Sequence, residues 1–169
     1  MRCLLCVAGG FALAGLYHSQ ASATPAQDCK KPVYLTFDTG HMAVAPVISD
    51  ILARQKVVVT FFAANEKTKE GDGSLGEHWG GWWRERAKEG HEFASHTFNH
   101  VYWVADAGKD AFRVKPSAGS RQGETYILDR NGYCEELSQS SRRLQMLTGK
   151  SPLPLFRAPG GRLTPSLEL

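Results

Sequence analysis

His96 and His100 stand four residues apart in Ser95-His96-Thr97-Phe98-Asn99-His100. On a helix that spacing puts two imidazoles on one face, where both reach a single transition-metal ion, most commonly zinc. The competing role for such a pair is capping or core packing. Thr97 follows His96 where the H-E-x-x-H zinc peptidases carry a Glu as general base, so peptidase chemistry is disfavoured and a base must come from elsewhere. Asp38 is the candidate. It follows the apolar run Pro32–Phe37, where a carboxylate is costly unless it has partners. An Asx turn or a helix cap is its alternative. Arg157 closes another apolar run that begins at Leu153. An arginine beside a carboxylate orients it and lowers its pKa; otherwise Arg157 is a surface residue before a turn.

These residues need elements to hold them. Pro32–Phe37 is rich in β-formers and is predicted to be a buried strand ending at Asp38-Thr39-Gly40. Apolar residues at helical spacing predict a helix over 44–56, and Val57–Ala63 predicts a second strand. Residues 65–81 carry five glycines and are expected to be a loop. A helix is predicted over 82–89, stopped by Gly90, then a short strand over 91–94. From Ser95 the expectation is a turn into a helix bearing His96 and His100. Residues 106–132 are polar and expected to be an irregular excursion. A helix is predicted over 133–148, closed by Gly149, and a last strand over 153–157. Strands separated by helices argue for a parallel α/β layout, with chemistry at the C-terminal ends of the strands. Trp79, Trp82 and Trp83 are expected to form core or groove walls rather than the site.

The 169 residues suffice for one domain with a real core, and 22% charged with 42% hydrophobic residues is ordinary globular composition. The formal charge of +3 comes from scattered basic residues, without the dense stripe that a nucleic-acid partner leaves. Residues 1–23 are predicted to be a signal peptide: a positive start, an apolar stretch from Cys3 to Leu16, and Ala21-Ser22-Ala23 as cleavage site. The expected mature domain is 24–169, exported to the periplasm or beyond, with no membrane attachment after cleavage. Of the four cysteines, Cys29 and Cys134 would remain. An oxidising compartment permits their pairing, but the spacing does not establish it. Oligomeric state is not legible.

Taken together, three short segments resemble the motifs of the polysaccharide deacetylases, the NodB-homology domain of carbohydrate esterase family four. Thr36-Phe37-Asp38-Thr39-Gly40 resembles the first motif, Ser95 to His100 the second, and Arg157-Ala158-Pro159-Gly160-Gly161 the third. The resemblance runs from about Val33 to the end of the chain. It implies a distorted (β/α) barrel and metal-dependent removal of acetyl groups from N-acetylated glycans of the peptidoglycan or chitin kind. It also implies His96 and His100 as ligands of a divalent metal such as zinc, Asp38 as base, and Arg157 as the residue that positions Asp38. The family's first motif usually has a second Asp, its third metal ligand, where this sequence has Thr39, with His41 nearby. The family domain also continues past the third motif, to an L-x-H segment that supplies a general acid. A chain ending at Leu169 is therefore expected to be a C-terminally truncated, incomplete barrel. An inactive fragment or a non-catalytic glycan-binding relative is the alternative function.

Overall fold

The structure, a computed structural model, describes residues 31–167. The predicted signal peptide and Cys29 lie outside them. Cys134 has no disulfide partner among the described residues. No helix among them is long and apolar enough to cross a membrane.

Three strands, β1 (Thr36–Asp38), β2 (Thr60–Ala63) and β3 (Glu92–Ser95), form a parallel sheet in sequence order. Its register pairs Asp38 with Phe62 and Ala63 with Ser95. Segment 153–157 runs along the free edge of β3. Leu153 N–H donates to Phe93 O (2.8 Å), Ser95 N–H to Leu155 O (3.2 Å) and Arg157 N–H to Ser95 O (3.0 Å). The predicted last strand is thus reduced to a single bridge at Phe156, with strand-like bonding around it. Pro154 has no N–H to give, which limits a longer ladder. The sheet edges of β1–β3 and this segment bring four C-terminal ends to one rim.

The helices α1 (Ala45–Gln55), α2 (Gly80–Lys88) and α3 (Arg130–Thr148) lie close to their predicted spans. In α1, Pro46 sits in the first turn, where its missing N–H costs nothing. In α3, helix starts three residues earlier than expected because the Asp129 carboxylate accepts from Gly132 N–H (2.7 Å); Gly149 ends it in a left-handed conformation. The main core fills the space between sheet and helices. Phe61, Phe93 and Trp83 sit at its centre, with Leu52, Leu75, Leu144 and Leu147 around them. Trp83 is fully buried, and its indole N–H donates to Ser74 O at 2.8 Å, so the group is satisfied as it is buried. Trp79 and Trp82 pack against this core, as expected for walls.

Three expectations are corrected. Residues 32–35 are not a buried strand: Val33 and Tyr34 are 93% and 83% exposed, because no described strand covers the outer edge of β1. Residues 106–132 are not irregular. Together with Val101–Asp106 (β4) they form an antiparallel sheet with β5 (Ala111–Pro116) and β6 (Tyr126–Asp129). Phe112 and Val114 of β5 point inward onto Val101 and Tyr133, forming a second core against α3. Finally, His96 and His100 are not helical. Thr97 and His100 take left-handed φ values of 60° and 50°, which no helix accommodates, and the segment is a tight loop from β3 to β4.

Candidate active site

Each site residue leaves the rim of the parallel sheet at a different strand end. Asp38 ends β1, Glu66 follows β2 by three residues, His96 follows β3 directly, and Arg157 ends the bridging segment. The rim gathers these four side chains at the strand ends where a parallel α/β layout usually holds its chemistry.

The His loop is held from two sides. Glu136 of α3 accepts from Asn99 N–H (2.8 Å) and from the Asn99 side-chain amide (2.7 Å), while its carbonyl accepts from Phe98 N–H (2.9 Å). Behind the loop, Ser117 N–H and Ala118 N–H donate to His100 O and Asn99 O, both at 3.1 Å. Thr97 Oγ accepts from Val101 N–H at 2.7 Å, stabilising the left-handed turn. Gly119 closes the grip with φ +78°, and a Cβ there would fall 2.1 Å from Asn99 Oδ1. Gly119→Ala is therefore expected to cost about 1–3 kcal/mol, from backbone strain plus displacement of Asn99. A urea midpoint matching the unmodified protein would contradict this clamp.

The rings meet inside the loop. His96 Nδ1–H donates to the Arg157 backbone carbonyl at 2.8 Å; a carbonyl only accepts, so the hydrogen is on Nδ1 and Nε2 has a bare lone pair. His100 Nδ1 lies 2.5 Å from Ser117 Oγ and 3.1 Å from Glu66 Oε1. Its Nε2 faces His96 Nε2 at 3.1 Å. Burial lowers the pKa of both rings: His96 falls below its ordinary value, and His100 is pushed down to about 4 by burial and then by the neighbouring His96. Both are neutral at pH 7.

Asp38 Oδ2 lies 3.8 Å from His96 Nε2. Its other oxygen is taken by Arg157, whose Nη1 donates at 2.6 Å. Arg157 Nη2 donates to Thr36 Oγ (2.7 Å), and its guanidinium stacks 4.2 Å over the Phe62 ring. The arginine is thus fixed by three partners and fixes the carboxylate in turn. Exposed pairs of this kind add little stability, so the arrangement acts on orientation.

Thr39 and His41 do not join the pair. The Thr39 hydroxyl accepts from Ala64 N–H (2.8 Å) and donates to Ala64 O (3.2 Å), tying the end of β1 to the end of β2. Its proton and one of its two lone pairs are thus taken by backbone. His41 is exposed, and its Nδ1 accepts from Ala43 N–H at 3.4 Å. Glu66 is the site residue the sequence reading missed. Burial raises its pKa, opposed by a hydrogen bond from Ser117 and by the charge of His41. Its only sequence signal is its place, a carboxylate just past a strand end in a stretch taken as loop.

The donor set fits a metal ion in two positions. Bonds of about 2.0–2.1 Å at a tetrahedral angle set two ligand nitrogens roughly 3.3 Å apart, close to the separation of the two Nε2 atoms. Among the described residues no group of three His, Cys, Asp or Glu side chains forms a complete ligand set. The remaining positions would fall to water or substrate oxygen.

Residues 26–168 match the polysaccharide deacetylase family, and the chain belongs to it. A chitooligosaccharide deacetylase from Azorhizobium caulinodans is 26% identical over 130 residues, 76% of this chain and 48% of its own. The chain therefore spans about half the length of this curated relative. Among solved structures, the catalytic domain of a peptidoglycan N-acetylglucosamine deacetylase from Eubacterium rectale superposes with a TM-score of 0.53 at 23% identity, covering 88% of this chain and 54% of that one. A family 4 acetyl xylan esterase from Clostridium thermocellum, solved with a cobalt ion, gives 0.55 at 18% identity, covering 79% and 51%. Both likenesses place the fold: part of the distorted (β/α) barrel of this family.

Proposed function

We propose that this protein is a metal-dependent N-deacetylase that hydrolyses N-acetyl groups on peptidoglycan or chitin-like glycans and releases acetate. The observation that supports it most is the pair of imidazole Nε2 atoms 3.1 Å apart, beside a carboxylate that Arg157 holds. His96 and His100 would hold a divalent ion, zinc or a similar metal. Bound there, its chemistry would be polarisation of the acetamide carbonyl and a water of lowered pKa. Asp38 takes the proton from the attacking water through Oδ2, the oxygen that Arg157 leaves free. Arg157 keeps that carboxylate aimed. Breaking of the C–N bond, with the proton held on Asp38 Oδ2 passing to the leaving nitrogen, then yields acetate and a free amino sugar. Such glycans lie outside the cytoplasm, which agrees with the proposed export through residues 1–23.

The test is acetate release from peptidoglycan and chitin oligomers, with and without chelator. Turnover is expected to stop on chelation and return with added zinc or cobalt. Turnover indifferent to chelator removes the metal from the reading. The second reading is a glycan-binding relative without catalysis. The committed hydroxyl of Thr39 favours it, since that position offers no third ligand. Glycan binding without acetate release would support it, and any metal-dependent turnover excludes it.

A further inference from the structure

We propose that Glu66, both directly and through Ser117, fixes the tautomer of His100 and so keeps its Nε2 lone pair open toward His96. The proposal rests on the metal reading above, and it assigns Glu66 as a positioning residue.

The geometry is specific. His96 has its hydrogen on Nδ1 because its partner is a backbone carbonyl. The partner of His100 Nδ1 is different: it is the Ser117 hydroxyl, 2.5 Å away, which can donate or accept. A serine alone leaves the His100 tautomer open. If Ser117 donated its proton to Nδ1, the hydrogen of His100 would move to Nε2. That Nε2–H would then donate to the bare Nε2 of His96 at 3.1 Å. The two rings would close on each other as a neutral hydrogen-bonded pair, with no lone pair left for a cation on His100.

Glu66 removes this choice. Its carboxylate stands at His100 Nδ1 beside the Ser117 hydroxyl, and a carboxylate oxygen is an acceptor toward both. The Ser117 proton is thereby directed to Glu66, and toward His100 the hydroxyl oxygen acts as acceptor of Nδ1–H. Glu66 Oε1 lies 3.1 Å from the same Nδ1, so a second acceptor stands behind the first. Both rings then carry Nδ1–H, and two lone pairs confront each other across 3.1 Å. Like dipoles so placed repel until a cation sits between them. Thr36 and Thr39 cannot substitute for Glu66, because their side chains are engaged at Arg157 and Ala64, and the free Oδ2 of Asp38 faces His96 Nε2 instead of His100 Nδ1. Carboxylates behind a ligating histidine are a general device for setting ring tautomer and orientation. In this chain the carboxylate comes from the loop after β2 and works through a hydroxyl from the segment after β5.

The experiment reads tautomers directly in metal-free full chain labelled with 15N-histidine, by long-range proton–nitrogen correlation, and reads zinc affinity by chelator competition. In the unmodified protein both His96 and His100 are expected as Nδ1–H. In Glu66→Ala, His100 is expected to move to Nε2–H while His96 keeps its Nδ1–H signature, which also reports that the loop is folded. Zinc affinity is expected to fall roughly 10- to 100-fold. Ser117→Ala leaves Glu66 Oε1 within reach of Nδ1, so His100 is expected to stay Nδ1–H. An Nε2–H signature for His100 in the unmodified protein overturns the proposal without any variant. So does a Glu66→Ala protein with the His100 tautomer and zinc affinity both unchanged. Because the tautomer is read without metal or substrate, absence of deacetylation would count against the proposed function alone.

Discussion

Asp38→Asn is expected to lower acetate release roughly 10²- to 10⁴-fold, the usual contribution of a positioned general base. The amide keeps the shape of the carboxylate and can still accept from Arg157 Nη1 through Oδ1, so the fold should be unaffected. An exposed ion pair of this kind contributes at most about 1 kcal/mol, and the urea midpoint should move little. What is lost is the basic Oδ2, the oxygen that faces His96 at 3.8 Å. Zinc affinity should change far less than turnover, because both Nε2 atoms and their partners are untouched. Arg157→Lys should give a smaller loss through a different cause. A lysine cannot bond Asp38 and Thr36 together while stacking on Phe62, so the carboxylate would remain but wander. Steady-state acetate assays at saturating metal separate the two variants. Turnover by Asp38→Asn within about tenfold of the unmodified protein would require another base.

Sequence alone carried the site's membership further than its geometry. Asp38 and Arg157 stood out because each follows an apolar run, His96 because of its spacing from His100, and the sheet brings all three to one rim. The three helices were legible from apolar spacing and from the stops at Gly90 and Gly149. The His pair was placed on a helix because an i, i+4 spacing is the simplest way to put two rings together. The chain instead uses a tight loop with two left-handed residues, a solution whose cause is tertiary: Glu136 from α3 and residues 117–119 hold it open. The antiparallel sheet escaped notice because its alternating residues in β5, Phe112-Arg113-Val114-Lys115, lie between polar turns. That sheet matters to the site, since its β5 end supplies Ser117. Glu66 had no local pattern at all. It joins the centre only because β2 lies between β1 and β3, so the loop leaving β2 passes both Asp38 and His100.

Metal-free protein is expected to lose about 3 kcal/mol of stability on acidification from pH 7 to pH 4 through His100 alone. Its pKa moves from 6.5 in the unfolded chain to about 4 in the fold. Across that interval the unfolded state binds a proton that the native state refuses, so stability falls as pH falls; each pKa unit is worth about 1.4 kcal/mol. The loss begins near pH 6.5 and is complete below about 4. His96 and His91 are also lowered by burial, and they push in the same direction. Glu66 pushes the other way, since its raised pKa lets the native state take up a proton first. Glu89 is lowered, chiefly by its hydrogen bond from Arg86, so its contribution is lost only as pH falls below the ordinary carboxylate range. Between pH 6.5 and 4.5 the histidines therefore lower stability while Glu66 opposes them, and only a comparison with a His100 variant separates the two. Urea midpoints in chelator across that interval, compared with His100→Asn, measure the term: the variant should show a visibly shallower decline. Saturating zinc should raise the midpoint at pH 7 and lose its hold toward pH 4, because protons and metal compete for the same two nitrogens. An identical pH slope in protein and variant would mean that His100 titrates normally, and that its ring is more open to water than its burial between Glu66, His96 and Tyr102 implies.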